Sequence, residues 1–205
     1  MTVGFTTRSL QTGIAGISAS IMGCADELNE KDGALGDGDL GVTMLRAVQG
    51  LEAEAERLSE DVGLALFSCS QVMTKVSGST YGTLLATGLM SAAKATKGRA
   101  LVPWQELPQL IENALAAMAA RARSQVGDKT VLDSIEAVRR ALEGLNDPHR
   151  MAEAANQAVD RALDEFREKP ARQGRARIFA EKSVGLDDPG MFAFKRIIEG
   201  IQAGS

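Results

Sequence analysis

Apolar residues recur at spacings of three and four along almost the whole chain, and runs of strict apolar–polar alternation are missing, so the pattern predicts helices rather than strands. The periodicity is clear in 7–31 (Leu10, Ile14, Ile17, Ile21, Leu28), 41–57 (Met44, Val48, Leu51) and 60–75 (Leu64, Phe67, Val72). It continues in 80–97, 104–124, 129–145, 149–168 and 189–203, which gives eight principal helices, with a shorter one expected near 174–182. The stripes Leu110, Ala114, Ala117, Met118 and Ala154, Ala158, Ala162 read as core, and the acidic run from Glu52 to Glu60 as a solvated helix face and turn. An aromatic content of only 4%, in a chain rich in alanine, leucine, methionine and glutamate, fits an all-α class.

What interrupts the helices is as regular as the helices themselves. Glycine-bearing elbows fall before the second, fourth, sixth and eighth: Gly36–Gly41, Ser77–Gly82, Gly127–Thr130 and Asp187–Gly190. In an up-and-down antiparallel bundle those four connections emerge at one end, where the even-numbered helices all start. Helix N-termini carry free N–H groups and the positive end of the macrodipole, so such a face suits an anion such as a nucleotide polyphosphate. Taken singly, each elbow also reads as ordinary capping, with an N-cap in Ser77-Gly78-Ser79-Thr80, Asp128 and Asp188 as caps and Pro189 in a first helical turn.

The first elbow carries the chemistry. Asp32-Gly33-Ala34-Leu35-Gly36-Asp37-Gly38-Asp39 puts three carboxylates and three glycines into eight residues, and close carboxylates repel unless a cation sits between them. Two readings stand: a hard divalent cation, or a solvated Asx/Gly turn. Leu35 and Thr43 stand where an EF-hand loop needs acidic residues, which favours Mg²⁺ over Ca²⁺, and Mg²⁺ in turn commonly shares its shell with phosphates. Arg175 is a candidate phosphate clamp or a surface arginine, and Lys129 a second candidate of the same kind.

Composition sets the outer bounds. With 205 residues and 44% hydrophobic content, one domain over 1–205 is expected. A net charge of −4 and a pI near 5.2 argue against a nucleic-acid partner, Arg172–Arg177 being the one basic run. Cys24 and Cys69 lie in apolar helical surroundings, the first residues predict no signal peptide, and no apolar stretch approaches the roughly 20 residues of a membrane span. A reduced cytoplasmic protein is therefore expected. The single histidine, His149, falls at the predicted far end of the bundle, so neither a Ser/His/Asp nor a Cys/His centre can be assembled.

Five motifs, in order, resemble one family across nearly the whole chain: Asp32-x4-Asp37-x-Asp39 followed by Gly41; Ser77-Gly78 with Tyr81-Gly82-Thr83; Gly127-Asp128-Lys129-Thr130; Gly174-Arg175-Ala176; and Asp188-Pro189-Gly190. The chain resembles the nucleotide-binding L subunit of dihydroxyacetone kinase, the DAK2 or DhaL-type domain. The resemblance implies an eight-helix antiparallel up-and-down barrel with ATP or ADP at one end. Asp32, Asp37 and Asp39 would be the catalytic and metal-binding residues, holding two Mg²⁺ ions on the phosphates. Leu40, Gly41 and Thr43, with Ser77 and Gly78, would line the phosphates. Thr130, Val131, Arg175, Asp187, Asp188 and Pro189 would lie at the nucleotide edge.

The chain departs from the family pattern at Leu40, where some members carry histidine, at Thr43, where some carry asparagine, and at Thr74-Lys75, where a Gly-Gly pair often stands. The resemblance further implies that a separate K subunit holds the ketose, and that this chain is the ATP/ADP-binding subunit of a kinase for dihydroxyacetone or a related short ketose. Nucleotide exchange in each cycle, or permanent ADP recharged by a phosphotransferase-system protein, both remain open, as does a homodimer. The rival from another class is a non-catalytic nucleotide-binding regulatory module of the same fold.

Overall fold

The computed structural model describes residues 4–76 and 78–204. Its eight α-helices are α1 (Thr7–Leu35), α2 (Leu40–Ala55), α3 (Val62–Val76), α4 (Thr80–Thr96), α5 (Leu107–Ala122), α6 (Val131–Ala141), α7 (Pro148–Arg167) and α8 (Pro189–Ala203). Each packs against its neighbours in sequence, and α8 returns to α1, so the up-and-down ring closes into a barrel. Closure is tight because both partners are backbone: a Cβ at Gly16 would lie 2.1 Å from the Gly200 carbonyl oxygen.

Local signals set the helix starts. Thr6 and Ser9 form a capping box on α1, Thr130 and Asp133 form another on α6, and Asp147 and Asp188 accept the Arg150 and Met191 amides at the starts of α7 and α8. The interior is filled from all sides, with Ile21, Leu28, Met44, Val48 and Met191 almost wholly enclosed.

Three expectations change. The first helix runs to Leu35 rather than 31, so Asp32 sits on its last turn and the elbow shrinks to residues 36–39. On α3 the inward face is Val62, Ala65, Leu66, Cys69 and Met73, while Leu64 and Phe67 are exposed; the helix is apolar nearly all round, so periodicity leaves its phase undetermined. A short antiparallel pair, β1 (Gly4–Phe5) with β2 (Val102–Pro103), carries no signal in the pattern, being two residues a side. The segment near 174–182 is a tight helical stretch, Arg175–Ser183, broken at Ala180, where φ is 41°. No described helix is long and apolar enough to cross a membrane.

Candidate functional site at the elbow end of the barrel

The elbows before α2, α4, α6 and α8 meet at one end, as the alternation predicts, and enclose a cleft of about 360 Å³. One wall is acidic, formed by Asp32, Asp37 and Asp39. The floor and the opposite wall are largely apolar, with Leu84, Val131, Leu132 and Pro189, and residues Gln173–Ile178 cross the mouth.

The acidic wall is built by one carboxylate on a helix end and two on the following elbow. Oxygens of Asp32, Asp37 and Asp39 lie within 4.8 Å of one another. Asp32 Oδ2 accepts the backbone N–H groups of Asp39 at 3.0 Å and Leu40 at 3.3 Å, which fixes the carboxylate against the start of α2. One turn earlier on the same face, Asn29 Oδ1 accepts from Gly41 at 2.8 Å and Val42 at 3.2 Å. The first amides of α2 are thus consumed within the protein, and this helix end offers carboxylates rather than N–H groups to a ligand. Two glycines make the turn feasible: Gly38 has φ of 76°, and a Cβ at Gly36 would come within 2.5 Å of Asp32 Oδ1. Arg175 reaches across the mouth and pairs with Asp37. Three converging, solvent-accessible carboxylates form an all-oxygen donor set that fits a hard divalent cation, and the guanidinium partly supplies the positive charge that the cluster needs.

A buried lysine ties the α6 elbow to the connection between α7 and α8. Lys129 has φ of 61° and its side chain is fully enclosed. Its ammonium donates to the carbonyls of Arg167 at 3.0 Å, Lys169 at 2.8 Å and Ser183 at 2.7 Å. Burial lowers its pKa, and Asp188 and Asp187 oppose that shift. All three donors are used, so the phosphate-clamp expectation for Lys129 does not hold: the residue is a structural tie facing away from the cleft. Burial pushes the Asp188 carboxyl up to about 6, against the Met191 amide and Lys129, which favour its charged form. Asp133, which accepts Gly127 and Thr130 N–H groups, is likewise raised by burial. The Tyr81 hydroxyl, on the cleft side of α4, is buried without a hydrogen-bond partner among the described residues.

Of the residues singled out from the sequence, Asp32, Asp37, Asp39, Leu40, Thr130, Val131, Arg175, Asp188 and Pro189 line the cleft, and Gly78 lines a smaller hollow beside it. Gly41, Thr43 and Asp187 do not line it. Gly41 is a packing glycine, since a Cβ there would lie 1.9 Å from the Ala25 carbonyl oxygen. Thr43 is buried within α2. Asp187 turns outward to Lys31 at 3.2 Å and Arg167 at 2.8 Å; burial would raise its pKa, but these two partners outweigh it and bring it below the usual carboxylate value. Ser77 lies outside the described residues. Asp128 does not cap α6, because Thr130 does; its carboxylate accepts from Ser124 and Gln125 instead. Asn29 and Tyr81 were not named among the site residues: Asn29 shows only as a polar neighbour one turn before Asp32, and Tyr81 only as a carrier of the second motif. His149 stands at the start of α7, at the opposite end of the barrel.

The fold and cleft define a helical barrel with an acidic cleft at one end. Comparison with known proteins gives the family: the DAK2 domain matches residues 34–203, and the chain belongs to the DAK2/DhaL family. It is 30% identical over 175 residues to the PEP-dependent dihydroxyacetone kinase, ADP-binding subunit DhaL, of Escherichia coli, covering 81% of each chain. Against the corresponding subunit of kinase 1 from Listeria innocua it is 29% identical over 167 residues, covering 81% of this chain and 80% of the relative. Among solved structures it is similar to the dihydroxyacetone kinase of C. freundii, with a TM-score of 0.76 and 20% identity, covering 96% of this chain but 34% of that one. The same kinase in complex with AMP-PNP and Mg²⁺ gives a TM-score of 0.73 at 18% identity, covering 100% of this chain and 35% of that one.

Proposed function

We propose that the chain, acting as one nucleotide-binding domain, is the ATP/ADP-binding subunit of a kinase for dihydroxyacetone or a related short ketose, the sugar being held by a separate K-type subunit. The observation that carries this reading is the cluster of Asp32, Asp37 and Asp39, with oxygens within 4.8 Å of one another, on the wall of a cleft of about 360 Å³. The relatives support it, being named as ADP-binding subunits of dihydroxyacetone kinases.

Asp32, Asp37 and Asp39 would hold Mg²⁺, two ions in the fullest form of the reading. Bound there, the metal supplies neutralisation of phosphate charge and alignment of the phosphoryl group. Asp32 is kept in place by the α2 amides, so the cluster is organised before ligand arrives. Arg175 can exchange its bond to Asp37 for phosphate oxygens, for which its planar fork is suited. Val131, Leu132 and Pro189 offer an apolar wall to the base.

Purified chain mixed with Mg·ATP, dihydroxyacetone and a cognate K subunit should form the ketose phosphate, and Asp37→Ala should lower the rate by at least ~10²-fold, as loss of a single electrostatic stabiliser does. Undiminished activity in that variant overturns the reading. Binding without transfer by any K subunit would instead mark a regulatory module. Whether nucleotide survives desalting separates permanently held ADP, recharged by a phosphotransferase-system protein, from exchanging ATP.

A further inference from the structure

The connection between α7 and α8, residues 168–188, forms a strap whose middle covers the cleft mouth and whose two feet converge on one ammonium group. Lys129 Nζ binds the Arg167 and Lys169 carbonyls at the leading foot and the Ser183 carbonyl at the trailing foot. Secondary ties reinforce the same point: Ala171 N–H donates to Ser183 Oγ at 2.7 Å, Ser183 Oγ donates to the Ala180 carbonyl at 2.5 Å, and Gly185 N–H donates to the Arg167 carbonyl at 2.8 Å. Arg172 N–H reaches the Asp128 carbonyl at 3.0 Å, beside Lys129 itself. Between the feet, Gly174 turns with φ of 71°, Arg175 crosses to Asp37, and Ile178 is 81% exposed. Between its feet the arch is held by Ala171, Ala176 and Phe179 packed with Leu35, by the Gln173 side-chain amide on the Arg123 carbonyl at 3.4 Å, and by the Arg175–Asp37 pair.

We propose that Lys129 is a positioning residue: its ammonium clamps both feet of the strap and thereby sets Arg175 over the acidic cluster, so that it governs nucleotide affinity without touching nucleotide. The proposal rests on the nucleotide reading for its second half only. A tetrahedral ammonium with three carbonyl acceptors cannot be replaced by the planar guanidinium of arginine or by an apolar isostere, because either leaves buried carbonyls unpaired. Loosening the feet spreads Arg175 over many positions, and a phosphate ligand must then supply the ordering.

The test has two arms. In the ligand-free chain, trypsin cleavage at Arg172, Arg175, Arg177 and Lys182 is timed for wild type, Lys129→Met and a core control, Val159→Ala, at temperatures giving equal distance from each melting point. Strap cleavage at least ~10-fold faster in Lys129→Met alone is expected, because local opening and not global unfolding governs it; cleavage equal to the control overturns the clamp. In the second arm, Mg·ADP affinity is measured for Lys129→Met, Arg175→Ala and the pair. Each single change should weaken binding about 10-fold, and the pair no more than either alone, since residues acting through one contact are non-additive; multiplied losses overturn the route through Arg175. Should Lys129→Met fail to fold, Lys129→Gln, whose shorter amide has two N–H donors in place of three, loosens the same feet and carries the same expectations in direction. If wild type itself does not bind Mg·ADP, the nucleotide reading falls and the trypsin arm decides the clamp on its own.

Discussion

Asp32 holds the backbone N–H of Asp39 at 3.0 Å, so one candidate metal ligand is oriented by the chain segment that carries another. The same oxygen takes the Leu40 amide, which makes Asp32 the cap of α2 from outside that helix. Asp39, in the N-cap position, makes no side-chain capping bond of its own. The carboxylates therefore differ in what they cost to remove.

Asp32→Ala should lower stability by about 0.5–2 kcal/mol, the usual cost of a lost helix cap, in metal-free buffer. By contrast, the Asp32→Asn/Asp39→Asn pair retains an acceptor at position 32 and relieves like-charge repulsion, so it should melt no lower than wild type in EDTA. Wild type should gain about 2.7 kcal/mol from Mg·ADP at a hundredfold excess over the dissociation constant, and the double variant almost none. A wild-type-sized thermal shift in the double variant would move the metal site elsewhere.

Glycine replacements offer a sharp contrast between barrel seams and surface. A Cβ at Gly41 would stand 1.9 Å from the Ala25 carbonyl oxygen, whereas one at Gly23 meets nothing within 4 Å. Both residues are helical. Gly41→Ala must push α2 off α1 beside the acidic cluster and should cost about 1–3 kcal/mol, the range for overpacked cores. Gly23→Ala should instead stabilise by about 0.5–1 kcal/mol through helix propensity. Urea melts of the two variants check both signs, and Gly41→Ala should also weaken Mg·ADP binding through its shift of Asp39.

Much of this architecture was legible in the chain because helix periodicity and elbow placement are local signals. The alternation of glycine-bearing elbows put four helix starts at one end, and Asp32, Asp37, Asp39, Arg175 and Asp188 do meet there. What escaped was determined by packing between distant segments. Lys129 reads from the sequence as a candidate phosphate clamp because nothing in Gly127-Asp128-Lys129-Thr130 tells that three carbonyls, 38 to 54 residues downstream, wait for its ammonium. Gly41 read as a phosphate-approach glycine, yet its lack of a side chain serves the α1–α2 contact. The outward turn of Asp187 follows from Lys31 and Arg167, partners that lie on other helices. The phase of α3 was ambiguous because Val62, Leu64, Leu66 and Phe67 leave two faces almost equally apolar.

The Asp188 carboxyl gives a pH prediction whose sign differs from that of an ordinary salt-bridged aspartate. Burial raises it to about 6, well above its unfolded value, although the Met191 amide and the Lys129 ammonium favour the charged form. Between the two values the folded chain binds the proton more tightly than the unfolded chain, so stability from this group is present at low pH and is lost as pH rises through 6. Asp188→Asn keeps an acceptor for the Met191 amide and removes the titration. In metal-free buffer the variant should therefore gain stability relative to wild type as pH goes from about 4 to 7.5. The gain is expected at about 1–3 kcal/mol, the lower end reflecting water that reaches the carboxyl from the cleft. Urea melts of both chains across that range measure the difference directly. A difference that stays flat with pH would show that Asp188 ionises in the folded chain as it does in the unfolded one, and one that shrinks with rising pH would show that the Met191 amide and the nearby Lys129 charge outweigh its burial.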